Sequence, residues 1–306
     1  MPILGQPSQL TFPTRSLSFP RRPLIMGILN INDDSFCADG SLDPETIIAQ
    51  ARQMIADGAD CLDFGAESAR TNREAISVDE EIRRFHSVLA HWEDIIAGAE
   101  PADEAQVFPP LLSANTWRPE VVAAVLPLGV ELLNDMSALP DARNAELCAA
   151  HHCALLIMHS VGQPKVPHTQ QQWPDVMAAM EKFFTEKMAL ARAAGLRDEQ
   201  ILLDPGLDFA KQVDDNRTVM RELERLHRFG RPLLLPVSRK TFIGEILDLP
   251  DPLDRDAGTM AALCFGQRRG ASFFRVHQVR PAWQCLKVLD ALGEPAGSVL
   301  NEIEQA

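Results

Sequence analysis

Leu233-Leu234-Leu235-Pro236-Val237, followed at once by Ser238-Arg239-Lys240, is a short apolar run closed by polar and charged residues. Bounded runs of this length suit a strand buried on both faces. The same construction recurs on either side. Ile201-Leu202-Leu203 ends in Asp204, and Phe273-Phe274 ends in Arg275-Val276-His277. Farther upstream, residues 23–29 end in Asn30, and Cys61-Leu62-Asp63-Phe64-Gly65 runs into Glu67, Ser68 and Arg70. Leu111-Leu112-Ser113-Ala114 ends in Asn115, Glu131-Leu132-Leu133 in Asn134-Asp135, and residues 154–158 in His159. Together these make eight runs.

Amphipathic helical patterns fill the gaps, over residues 44–56, 78–92, 119–126, 141–151, 173–194, 216–229, 256–269 and 281–292. Gly195, Gly230 and Gly270 follow three of them, where helix ends favour a residue that tolerates positive φ. Strand and helix thus alternate eight times, and parallel strands need such crossovers. The expected fold is α/β, a single-domain (β/α)8 TIM barrel. An open doubly wound sheet competes, but the G-x-G-x-x-G turn that usually follows its first strand is missing. Residues 1–22 read as an irregular N-terminal extension, 23–293 as the barrel and 294–306 as a C-terminal tail. Residues 97–106 read as a surface insertion.

A net charge of −14 over 306 residues argues against nucleic acid or an acidic membrane as partner. It leaves room for a local cationic pocket. No apolar run reaches the ~18 residues of a membrane span, and residues 1–22 lack the apolar stretch of a secretory signal. The six cysteines form no C-x-x-C pair, so buried free thiols and a reducing cytoplasm are expected. Tyrosine is absent, so no mechanism rests on a phenol.

In a barrel, the strand C-terminal ends converge on one mouth, where active sites lie. Asp204 in Asp204-Pro205-Gly206 is a candidate for accepting a pair of N–H groups; a plain D-P-G turn is the alternative. Lys240 suits a heteroaromatic oxygen or a phosphate, against a solvated basic turn. Strand alternation puts Arg275 and His277 on one side, a candidate anion site after the last strand. Asn30, before Asn32-Asp33-Asp34-Ser35, is a candidate oxygen ligand to Mg²⁺; a polar turn is equally compatible. His159 either lines the mouth or is structural.

These motifs, in this order and over roughly Pro23 to Leu292, resemble the dihydropteroate synthase family. The matching strings are Met26-Gly27-Ile28-Leu29-Asn30 with Asp34-Ser35-Phe36, Gly58-Ala59-Asp60 before Glu67-Ser68-Ala69-Arg70, Asn134-Asp135, Met158-His159, Leu203-Asp204-Pro205-Gly206, Ser238-Arg239-Lys240 with Phe242-Ile243-Gly244, and Arg275-Val276-His277. The resemblance implies an enzyme that joins a dihydropterin methyl diphosphate to 4-aminobenzoate and releases pyrophosphate. It implies that Asn115, Asn134, Asp204 and Lys240 bind the pterin. Arg275, His277 and Asn30, with Mg²⁺ at Asn30, would hold the diphosphate. Phe209, Thr241 and Ser238 would border the aminobenzoate, and Arg70 would arrive on a mobile loop. Lys240, Asp204 and Arg70 would be catalytic. A homodimer is also implied.

The chain departs from the family pattern at several points. Ser113-Ala114-Asn115-Thr116 replaces Ser-Val-Asp-Thr, and Ser68-Ala69-Arg70-Thr71 replaces Ser-Thr-Arg-Pro. The usual Asn-x-Thr-Pro-Asp-Ser-Phe is Asn30-Ile31-Asn32-Asp33-Asp34-Ser35-Phe36, and the usual Gly-Phe-Gly-Lys is Asp208-Phe209-Ala210-Lys211. A divergent pterin-binding relative with altered substrate or weak activity, and a methyltransferase-type pterin domain, are the competing readings. The Lys240, Arg275 and His277 set counts against the second.

Overall fold

The computed structural model describes residues 8–33, 40–68, 74–166, 168 and 170–292. Arg70, the Asp34-Ser35-Phe36 string and the expected tail from 294 lie outside them. The chain starts with an antiparallel hairpin, β1 (Ser8–Thr11) and β2 (Ser16–Phe19). Eight parallel strands follow: β3 (Leu24–Asn30), β4 (Cys61–Gly65), β5 (Leu111–Asn115), β6 (Leu132–Asp135), β7 (Ala154–Met158), β8 (Ile201–Asp204), β9 (Leu234–Leu235) and β10 (Phe273–Val276). From β3 to β8 each strand pairs with the next in sequence, and β10 pairs with both β9 and β3. A parallel bridge from Leu203 to Leu233 joins β8 to the approach to β9. The ring is therefore closed, as the alternation of runs and helices predicts.

Around it run α1 (Pro44–Ala56), α2 (Val78–Leu89), α3 (Trp92–Ala97), α4 (Pro119–Val125), α5 (Arg143–Ala150), α6 (Val176–Ala193), α7 (Val213–Arg221), α8 (Thr241–Leu247), α9 (Asp256–Arg268) and α10 (Val279–Ala291). Local chemistry sets several starts. Asp43 caps α1 by accepting from Thr46 N at 3.1 Å, with Pro44 at the first helical position. Ser77 and Asp175 cap α2 and α6 in the same way. The pattern read over 78–92 splits into α2 and α3, and that over 216–229 becomes α7 followed by a 3-10 segment, Leu223–Phe229. That segment stops at Gly230, whose φ is 63°. The helix α8 was not expected from periodicity, because it is short and sits between a strand end and α9.

Alternation divides the strands into two apolar layers. Outward residues such as Ile25, Phe64, Leu112, Leu133 and Phe274 pack under the helices. Inward residues Leu24, Met26, Cys61, Leu111, Leu132, Leu156, Leu202, Leu234 and Phe273 fill the barrel. Full burial of each large side chain favours folding by roughly 1.5–3 kcal/mol.

The N-terminal segment corrects the reading of an irregular extension. Leu10, Phe12 and Phe19 of the hairpin join the inner cluster and cover the N-terminal end of the barrel. Arg15 secures it, donating to Glu131 Oε1 at 2.9 Å and to the Pro110 carbonyl at 3.0 Å. A strand this short, diluted by Pro, Ser and Thr, carries too little periodicity to be seen in sequence. Residues 97–106 are also more than a surface insertion. Gln106 is buried and donates to the carbonyls of Ile55 and Ala59 at 3.0 and 2.7 Å, tying the loop to the end of α1.

Candidate active site

The inward positions change character toward the strand C-terminal ends. Register aligns Asn30 with Gly65, Gly65 with Asn115, and Asn115 with Asn134, so four adjacent strands present a polar rim at one level. One layer deeper lie Asp63 and Ser113, also aligned. Asp204 ends β8, Lys240 follows β9, and Arg275 and His277 lie at the end of β10.

Together these residues surround a cavity of about 290 Å³. Asn30, Asn115, Asn134, Asp204, Phe209, Ser238, Lys240, Thr241, Arg275 and His277 all line it. Of the residues that the sequence placed at the mouth, Arg70 lies outside the described residues and His159 does not line the cavity; the others are brought together. Asn30, however, belongs to no group of three or more His, Cys, Asp or Glu suited to a metal among the described residues.

Asp63, which sequence reasoning passed over, organises the floor. It is fully buried. Its Oδ1 accepts from Ser113 Oγ at 2.6 Å, and its Oδ2 accepts from Asn134 Nδ2 at 2.9 Å and Arg275 Nε at 2.7 Å. A carboxylate is an acceptor, so it draws the Asn134 NH₂ toward itself and turns the amide oxygen the other way. The available signal was a carboxylate inside the apolar run Cys61-Leu62-Asp63-Phe64-Gly65, with parity matching Gly65 at the mouth. Asn115 donates to Met136 Sδ at 3.4 Å.

Asp204 accepts from Gly206 N at 2.6 Å. Burial lifts its pKa to about 6, against the pull of that amide and of Lys240, Lys211 and Arg275. The turn it opens needs glycine. Gly206 has φ 64°, and a Cβ there would lie 2.0 Å from the His159 carbonyl oxygen. Lys240 Nζ donates to the Leu207 carbonyl at 2.9 Å and lies 4.8 Å from the Phe209 ring centre. Burial lowers its pKa, and Asp208 and Asp204 oppose that shift.

Ser238 and His277 meet twice. The Ser238 oxygen accepts from His277 N at 3.2 Å and lies 2.7 Å from His277 Nδ1, within hydrogen-bond distance. Arg239 turns away from the cavity centre to hold Asp256, at 2.7 and 2.9 Å.

His159 proves structural. It does not line the mouth cavity; it packs on Trp173 and Phe183, and its Nδ1 lies 2.8 Å from Lys211 Nζ. Burial drives its pKa down to about 2, and the neighbouring Lys211 charge acts in the same direction. Lys211 in turn donates to the carbonyls of Gly206 and Phe209 at 3.0 and 3.1 Å, clamping the loop after β8.

A family model described as pterin binding enzyme matches residues 26–277. The chain belongs to the dihydropteroate synthase family. It is 37% identical over 274 residues to dihydropteroate synthase of Synechocystis sp., covering 89% of this chain and 91% of that protein. Against the Bacillus subtilis dihydropteroate synthase, identity is 34% over 284 residues, covering 92% and 93%. The Thermus thermophilus dihydropteroate synthase crystallised with 4-aminobenzoate superposes with a TM-score of 0.77 at 33% identity, over 93% of this chain and 99% of that one. The Yersinia pestis dihydropteroate synthase in complex with a sulfonamide drug gives 0.82 at 30% identity, over 93% and 98%. Family membership accounts for both the closed barrel and the residues gathered at its mouth. No helix among the described residues is long and apolar enough to cross a membrane.

Proposed function

We propose that this protein is a dihydropteroate synthase, a transferase of folate biosynthesis that condenses a dihydropterin methyl diphosphate with 4-aminobenzoate. The observation that carries the reading is the single cavity shared by Asp204, Asn134, Lys240, Arg275 and His277. It pairs an acceptor floor for a pterin with a cationic side for a diphosphate.

Asp204 takes the paired N–H groups of the pterin, and the Asn134 carbonyl oxygen, set by Asp63, takes a further ring N–H. Arg275, anchored through Nε, keeps its terminal nitrogens for the diphosphate, beside His277. In the reaction the methylene C–O bond breaks, and its electron pair leaves on the diphosphate. The amine nitrogen supplies the pair for the new C–N bond and then loses a proton to solvent. Cations placed where charge builds on the leaving group favour this ionisation. Lys240 borders pterin and amine, and Phe209, Thr241 and Ser238 line the approach of the amine. Arg70 would be a further catalytic residue, as the family resemblance implies; it lies outside the described residues.

We infer Mg²⁺ as the cofactor. Asn30 lines the rim and would be its protein ligand, since this ion accepts few protein oxygens when water and phosphate complete its shell. Bound there, it would neutralise diphosphate charge. We also infer a homodimer, which rests on the family resemblance. The five cysteines among the described residues are free thiols, which supports a cytoplasmic location.

The test is direct. Purified protein, the pterin diphosphate, 4-aminobenzoate and Mg²⁺ yield dihydropteroate and pyrophosphate; absence of both products at high enzyme concentration overturns the assignment. Binding of the pterin without condensation would instead favour a divergent pterin-binding relative.

A further inference from the structure

The loop after β8 carries two residues in the left-handed region where the family pattern has glycine. Asp208 has φ 68° and Ala210 has φ 51°. Asp tolerates this conformation better than most residues, whereas Ala has no side chain to compensate. The Asp208 side chain has a defined place. Its Oδ2 accepts from Thr241 N at 2.5 Å, and its Oδ1 accepts from Phe242 N at 3.3 Å and Asn216 Nδ2 at 3.2 Å. Asn216 Oδ1 returns a contact by accepting from Asp208 N at 2.8 Å. A carboxylate therefore sits on the first amides of α8, immediately after Lys240.

This position is a partition between two cavities. Asp208, Phe209 and Thr241 line the mouth cavity and also a neighbouring one of about 360 Å³. The neighbour is bounded farther out by Gln163, Lys165, His168, Lys211 and Glu245. Resting on the condensation reading above, the amine nitrogen of the second substrate must face the pterin methylene over Asp204 and Lys240. A para-disubstituted ring then directs its other end outward, past Phe209 and Thr241. There it meets the Asp208 carboxylate, with the α8 amides already taken.

We propose that Asp208 determines specificity at the amine site, weakening the hold on a para-carboxylate and favouring anilines with a neutral para substituent that reaches toward the second cavity. A benzoate finds like charge and occupied donors at this point, whereas a neutral carboxamide meets an acceptor that it can satisfy through N–H. 4-Aminobenzoate is still condensed, but with a raised KM.

The experiment follows pyrophosphate release from the pterin diphosphate with 4-aminobenzoate and with 4-aminobenzamide. Asp208→Asn keeps an oxygen for the α8 amides and removes the charge; Asp208→Gly restores the family residue. Both should shift the kcat/KM ratio toward benzoate by about fivefold or more, carried by KM rather than kcat. In the unmodified enzyme, kcat/KM for benzamide should exceed that for benzoate, a readout that does not depend on either variant folding. Pyrophosphate release whose amine preference is unmoved by Asp208→Asn, or that favours benzoate in the unmodified enzyme, overturns the role of Asp208 alone. No release with either amine overturns the condensation reading and this inference with it.

Discussion

Arg275 Nε donates to Asp63 Oδ2 at 2.7 Å, and the same oxygen accepts from Asn134 Nδ2 at 2.9 Å. One buried carboxylate thus aims both the proposed diphosphate clamp and part of the pterin floor. The two roles are coupled through an atom that need not touch substrate.

Asp63→Ala should therefore damage both. Removing it strands the Ser113 hydroxyl, the Asn134 amide and a largely buried guanidinium. Breaking such a pair costs about 3–5 kcal/mol. Urea unfolding should show that loss, and KM for the pterin diphosphate should rise. Unchanged stability and KM would mean that the floor holds its geometry without Asp63.

Asp204 gives the site a pH signature. Its pKa is raised to about 6, so the folded protein keeps a proton that the unfolded chain has already released. Between the ordinary carboxylate range and about 6, stability falls as pH rises. Pterin binding runs the opposite way, because N–H donors require the ionised carboxylate. Affinity for the pterin should climb as pH rises through about 6, and Asp204→Asn should remove that limb. Isothermal titration from pH 5 to 8 checks both.

Asn115 sits on the rim where the family pattern places an aspartate, and it is buried against Met136. Asn115→Asp should raise turnover, since a carboxylate stabilises a pterin-methyl cation better than an amide. It should also lower stability by roughly 1–3 kcal/mol, because it puts another charge into a floor that already holds Asp63 and Asp204. Steady-state kinetics together with thermal unfolding separate these effects. A fall in turnover would show that the site has adapted around the amide.

The covered end of the barrel makes a stability prediction independent of chemistry. Leu10 of β1 is fully buried among Leu24, Leu111 and Phe273. Leu10→Ala should cost about 2–5 kcal/mol in denaturant unfolding while leaving KM for both substrates unchanged, since the cavity opens at the opposite end.

The sequence by itself determined the barrel and most of its mouth. Eight apolar runs spaced by helices admit few architectures, and parallel strands deliver their C-terminal residues to one rim. Asp204, Lys240, Arg275 and His277 were therefore legible, because each ends a run. Tertiary structure decided what lies across strands or against unpatterned loops. Asp63 gains its importance from Ser113, Asn134 and Arg275, partners 50 to 212 residues away, which no local period reveals. His159 ends a strand just as the others do, yet Lys211 and an aromatic cluster hold it outside the mouth. The hairpin at the barrel floor and the Asp208 carboxylate on α8 are likewise products of packing. Local propensity sets which residues end a strand; only the closed ring sets what those ends meet.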